Sequence, residues 1–202
     1  MSGNVKAGGI FKEATDGSTM IAFDVENKEI ELNADIRNVR NAGTPGTSVT
    51  ALEYSDGIRH YTKLSFIDLA VGSATGAAAL GFGKLIYTLP AGVQKYNSVY
   101  QEIALTAADG NTADTPEIGL GTVVATGAVS VLGGTATFED ILEGTAVGDC
   151  NGTVVIDNDL AINQLVATGG AKSIYLNLAD TWAAADAITA TGFVVIEWTK
   201  LV

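Results

Sequence analysis

Along this 202-residue chain the apolar positions recur mostly at every second residue, in short runs parted by turn residues. That alternation is the period of half-buried β-strands, in which successive side chains point to opposite faces of a sheet. The clearest stretch, residues 82–132, reads as three strands. In KYNSVYQEIALT, Val99, Ile103 and Leu105 fall on one side while Tyr100, Glu102 and Thr106 fall on the other. LIYTLP ends at Pro90, which lacks the N–H a ladder needs, and the Ala-Gly after it supplies a turn. Gly119, Gly121 and Gly127 interrupt the third run and predict bulges or bends.

The same pattern covers most of the chain after residue 49. VTALEY is followed by a Ser-Asp-Gly turn, and IRHYTKLSFIDLAV predicts one long strand or two short ones, with Leu64 and Phe66 alternating against Ser65 and Ile67. TVVIDNDLAINQLVA predicts strands near 154–156 and 162–166. KSIYLNLA sets Ile174, Leu176 and Leu178 against Tyr175 and Asn177. GFVVIEWTKLV places Val194, Ile196 and Trp198 on one face, with apolar residues on the other as well, the mark of a central strand. Helix signals are few. Thr137 can cap a turn or two that carries acidic residues early and stops at Gly144, and DTWAAADAITA reads as a loop that packs Trp182 over a sheet edge.

Eight or nine strands with long irregular loops predict an all-β, antiparallel β-sandwich. The jelly roll fits the strand count best, and an immunoglobulin-like sandwich is the second choice. Residues 1–48 differ in texture: apolar residues are scattered, AGTPGTS reads as a linker, and IAFDVENKEIELN reads as a short hairpin in which Ile21, Phe23 and Val25 alternate. This segment is expected to be an N-terminal arm or an edge addition to a domain spanning 49–202.

Charge and composition narrow the function. The net charge is −12, with five basic against seven acidic residues in the first 50 and six against sixteen in the remainder. An acidic body repels phosphate backbones, so nucleic acid is not an expected partner. The single Cys150 permits no internal disulfide and suits a small buried residue. The beginning of the chain has no apolar leader and no run reaches membrane-spanning length, so synthesis in the cytoplasm and no membrane partner are expected.

Reactive constellations are sparse. His60 is the sole histidine and stands in a strand context without a nucleophile elbow, which predicts a strand histidine at a surface or interface and leaves no set for triad or cupin-type metal chemistry. The glycine-rich GSATGAAALGFGK lacks the P-loop spacing and precedes a strand, so no phosphate or other cofactor is expected. The loop TAADGNTADTPE gathers Asp109, Asn111, Asp114 and Glu117, oxygen donors that calcium favours, though not at EF-hand spacing. They are weak metal candidates, and Asp157 and Asp159 are weaker still. Tyr96 and Tyr100 could share a flat polar-aromatic surface of the kind used for protein or carbohydrate contact, or else pack across strands.

The segments FGKLIYTLPAG, LTAADGNTADTPEIGLGTVVATGAVSVLGGTATFEDI and TGFVVIEWT resemble a family of virion structural proteins of tailed bacteriophages, many of them marine, that look like capsid decoration (cement) proteins. The resemblance spans residues 58–200 and carries no chemical signature. It implies a non-enzymatic β-sandwich, a homotrimer, bound to the major capsid protein on the outside of an icosahedral shell. On that footing Lys6, Lys12, Arg37 and Arg40 mark the arm as the capsid-binding element, ordered by strand addition. Two rivals stand beside it. A receptor- or glycan-binding fibre module would use the loops, and a polysaccharide hydrolase would need two carboxylates about 5 to 9.5 Å apart in a groove.

Overall fold

The computed structural model describes residues 43–55, 58–75, 79–108, 110–158 and 171–201 with their side chains, and the backbone of 11–12, 19–24, 29–31 and 165–168. The chain divides into two units, Met1–Arg37 and Asn38–Val202. In the first, β1 (Phe11–Lys12), β2 (Thr19–Asp24) and β3 (Glu29–Glu31) form an antiparallel sheet in that order. Phe23 pairs with Ile30 and Asp24 with Glu29, so the hairpin read from the sequence forms where expected.

The second unit is an antiparallel β-sandwich. One sheet runs β10 (Leu142–Ala146), β9 (Glu117–Gly121), β13 (Lys172–Ala179), β7 (Gly81–Leu89), β4 (Thr44–Pro45). The other runs β11 (Asn151–Asp157), β8 (Gly92–Ala107), β14 (Ala187–Lys200), β6 (Arg59–Ser73), β5 (Thr50–Ser55), and β12 (Leu165–Thr168) pairs with β8 beyond the end of β11. Thr44 and Pro45 pair with Thr88 and Tyr87, so part of the segment grouped with the arm is an edge addition to the sandwich.

The core follows from the alternation. Leu64 and Phe66 of β6, Val99, Ile103 and Leu105 of β8, and Val194, Ile196 and Trp198 of β14 point inward from one sheet. Ile118 and Leu120 of β9 and Ile174, Leu176 and Leu178 of β13 meet them from the other. β14 is central, paired along its length with β6 and β8, as its two apolar faces predict.

Bulges correct the simple period in β7, where Ile86 and Tyr87 are both buried at the register shift against β13, and again in β6 and β8. In β6 the inward phase runs His60, Thr62, Leu64, Phe66 and then resumes at Leu69 and Val71. The extra residue is absorbed at Asp68, whose φ of 49° is left-handed and whose N–H donates to Thr191 Oγ1 at 3.0 Å. In β8 the register against β14 shifts at Asn97, and this sends Tyr96 inward to complete burial while Tyr100 stays on the outer face. The two tyrosines therefore do not share a surface.

A bulge or bend falls at two of the glycines where one was expected: the register of β10 against β9 shifts between Leu142 and Thr145, opposite Gly119, and Gly127 lies in a bend at a φ of 83°. Gly119 and Gly121 nonetheless keep an unbroken register with β13 and have a second cause. A Cβ on Gly121 would lie 2.4 Å from the Phe138 carbonyl carbon, and one on Gly119 would lie 3.0 Å from Leu142 O. They clear room for residues 122–141, which fold back over the outer face of this sheet and build a small second core from Ala125, Leu132, Phe138 and Ala179.

The expected helix near Thr137 is absent. Its residues make a 3-10 turn, Ala136–Phe138, and then β10. A turn or two of helix is marginal alone. Here its acidic residues serve tertiary bonds instead: Asp140 accepts from Thr122 N and Oγ1 at 2.6 Å each, and Glu139 Oε2 accepts from Gly144 N at 2.7 Å. Residues 180–186 form a loop, with Trp182 stacked on Phe82 and its Nε1 donating to Leu80 O at 2.7 Å, as read from the sequence.

Candidate functional site

The Asp-rich loop spends its oxygens within the fold. Asn111 is completely buried; its Nδ2 donates to Ala184 O at 2.9 Å and its Oδ1 accepts from Ala184 N at 2.6 Å. Asp114 Oδ2 accepts from Ala183 N at 2.9 Å, and Glu117 Oε2 accepts from Leu132 N at 2.6 Å, which ties β9 to the overlying segment. These three calcium candidates thus act as braces to two other loops, and Asp109 lies outside the described residues. Among the described residues no group of three or more His, Cys, Asp or Glu side chains is placed to hold a metal. Asp157 is buried and accepts from Thr145 Oγ1 at 2.7 Å, whereas Asp159 is outside the described residues.

His60 is not a surface residue. It is 7% exposed, stacks on Trp198 with ring centroids 3.9 Å apart, and its Nδ1 lies 2.6 Å from Glu53 Oε1. Glu53 Oε2 also accepts from Tyr87 Oη at 2.9 Å, and Tyr87 Oη in turn accepts from Gly43 N at 2.9 Å. Burial, with the Glu53 carboxylate beside it, pushes the Tyr87 phenol well above its usual range. Trp198 Nε1 donates to Thr62 Oγ1 at 3.0 Å. This polar cluster joins four strands to the start of β4, and no sequence signal marks it, since Glu53 and Tyr87 look like ordinary strand residues. Cys150 is buried as expected, and burial together with Asp114, Asp180 and Asp149 pushes its thiol up to about 12, so it is a poor nucleophile at neutral pH.

The feature that does face solvent is the outer side of the sheet built on β14. Cross-strand register aligns its side chains in rows. One row is Thr50, Ser65, Phe193, Glu102 and Ile156; the next is Leu52, Lys63, Val195 and Tyr100; the third is Tyr54, Tyr61, Glu197 and Ser98. Leu52, Tyr54, Tyr61, Val154 and Ile156 are 38–63% exposed. Between them Lys63 Nζ sits 4.1 Å above the Phe193 ring, and Tyr100 packs on Phe193 with centroids 5.8 Å apart. Tyr100 Oη donates to Glu102 Oε2 at 3.2 Å, and loss of solvent together with this bond raises its pKa. The other sheet differs: residues 122–141 of its own chain cover its outer face around Gly119, Gly121, Asn177 and Ala179.

Of the proposed capsid-binding residues, Lys12 lies in β1 by its backbone, while Lys6, Arg37 and Arg40 lie outside the described residues. Among the described residues no helix is long and apolar enough to cross a membrane.

No family model and no curated protein matches the chain. Among solved structures, an arabinose-bound α-L-arabinofuranosidase, MgGH51, is similar with 11% identity and a TM-score of 0.31, over 80% of this chain and 25% of that one. The chain thus spans about a quarter of that structure's length, and a likeness so distant carries no argument.

Proposed function

We propose that this protein is a structural component of a tailed-phage virion that binds the major capsid protein on the outer surface of the shell and stabilises or decorates it as a homo-oligomer, a trimer being favoured. The observation that carries the reading is the division of the chain into a sandwich with a core of its own and a separate N-terminal unit. That unit supplies Lys6, Lys12, Lys28 and Arg37, with Arg40 just after it, while the rest of the chain is strongly acidic. An arm of mixed charge, four basic against seven acidic residues in 1–37, on a body with seven against sixteen suits attachment by the arm and mutual repulsion between decorated particles. Strand order supports the jelly roll as the finer description of the sandwich. Taken in chain order, β6, β7, β8, β9, β10, β11, β13 and β14 are distributed as β6-β14-β8-β11 in one sheet and β7-β13-β9-β10 in the other, the double winding of two Greek keys. Such a protein needs no cofactor, is made in the host cytoplasm and ends on the virion.

The test is co-sedimentation with purified shells. The full chain should bind and a form lacking residues 1–37 should not; binding that survives the deletion would remove the arm from the attachment. The exposed Tyr54 and Tyr61 favour a second reading, a glycan- or receptor-binding module of the virion. Binding of the purified protein to a glycan array, without binding to shells, would select it.

A further inference from the structure

We infer that the outer face of the β14 sheet is the surface on which a second copy of this chain docks, meeting it with the acidic end of that copy. The inference takes from the virion reading only the expectation of a homo-oligomer, and it names the surface that makes one.

Size comes first. Five strands about 4.8 Å apart and about six residues long make a face of roughly 25 by 20 Å. With side-chain relief added, this approaches the roughly 800 Å² per partner that stable complexes bury. Its make-up fits protein contact: tyrosines and a phenylalanine at the middle and aliphatic side chains at both edges, with charges around them.

Charge then selects the occupant. Register places Arg59, Lys63 and Lys95 with Glu197 toward the Thr199 end of this face and Glu102 toward the other, where Asp68 joins it by accepting from Thr191 Oγ1 at 3.3 Å. Those are three of the six basic residues after residue 50 and three of the sixteen acidic ones. The remainder of that stretch keeps three basic and thirteen acidic residues, so the face is balanced overall and positive toward Thr199, on a strongly negative body. Asp114, Asp149 and Asp180 crowd around Cys150 at one place in the sandwich, near the loops that Asn111 and Asp114 brace. A second copy presents that acidic end at the protein's own concentration. Contact between two unlike patches is heterologous, and it closes into a ring when the rotation allows.

Analytical ultracentrifugation of the full-length protein tests this, with Tyr61→Asp and Ile156→Asp on the face and Asp149→Lys on the acidic end. The wild type should be oligomeric and should dissociate as salt rises, because unlike charges are screened. Each variant should weaken association by at least about tenfold at an unchanged melting midpoint. Tyr61 and Ile156 are well exposed, and should one of these variants unfold, the other decides. A monomeric wild type overturns the inference. So does an oligomer indifferent to the face variants, one that salt strengthens, or an unchanged mass with loss of glycan binding. Shell co-sedimentation of the same variants separates the two readings: monomers that still bind shells leave the virion reading standing, and an oligomer of the wild type that binds no shell fails that reading alone.

Discussion

Asn177 shows how one buried polar side chain can hold a whole segment. Its Nδ2 donates to Val123 O at 2.9 Å and to Phe138 O at 2.7 Å, and its Oδ1 accepts from Ala125 N at 2.9 Å. The amide does for residues 122–141 what a strand partner would do, and it satisfies three backbone groups that would otherwise be buried without partners. Asn177→Leu should cost about 3 kcal/mol in urea unfolding, because a stranded buried group costs about 1–3 kcal/mol. A loss below about 1 kcal/mol would show that water replaces the amide. Asp180 acts in the opposite sense. Burial, with Asp114 nearby, raises its carboxyl above the ordinary 3.8, and Glu139 is likewise raised above 4.5 by burial. A raised folded pKa means the folded state holds the proton more tightly, so the stability it contributes is present at low pH and is lost as pH rises through the folded pKa. Between neutrality and the onset of acid unfolding, these two groups should therefore gain stability as pH falls. Asp180→Asn keeps an acceptor for Thr181 N and should raise the melting midpoint at pH 7 while flattening its rise toward pH 5; an unchanged slope would acquit Asp180.

At the scale of elements, β14 sets the geometry of its sheet. Gly192 allows the strand to pass β8 closely: its φ is 148°, and a Cβ there would lie 2.1 Å from Glu102 O and 2.9 Å from Ile103 Cα. It sits opposite Phe66, where β6 enters its bulge at Asp68. Any side chain would strain the backbone and push β8 away from the central strand. Gly192→Ala should destabilise by at least about 2 kcal/mol in chemical denaturation and lower the yield of folded protein. The bulges also decide which chemistry is visible. Without the shift at Asn97, Tyr96 would stand beside Tyr100 on the outer face, and the aromatic platform would be larger.

At the scale of the molecule, the division at Arg37 carries the main expectation. The sandwich has its own inter-sheet core, and the Glu53, Tyr87 and Gly43 chain of hydrogen bonds fastens the point where the chain enters it. Removing residues 1–37 should leave a cooperative melt within a few degrees of the full-length midpoint. A broad or much lower transition would make the N-terminal unit part of the sandwich's stability and undercut its assignment as an arm. Association through the β14 sheet should persist in this truncated form, since none of the face residues lies in the deleted unit.

The alternating positions by themselves determined the all-β class, the identity of most inward side chains, the hairpin near residue 23 and the centrality of β14. They could do so because period-two burial is local and every strand carries its own record of it. Three things only the tertiary structure decided. Bulges at Asp68 and Asn97 reverse the phase, and a register shift depends on the partner strand. The burial of Asn111, His60 and Asn177 is set by segments 7 to 73 residues away along the chain, so their loop or strand surroundings suggested exposure. The bare face of the β14 sheet is legible residue by residue in the sequence, yet its significance appears only when the other sheet is seen to be covered in part by residues 122–141. A strand's outer side chains look the same in sequence whether a loop covers them or solvent does.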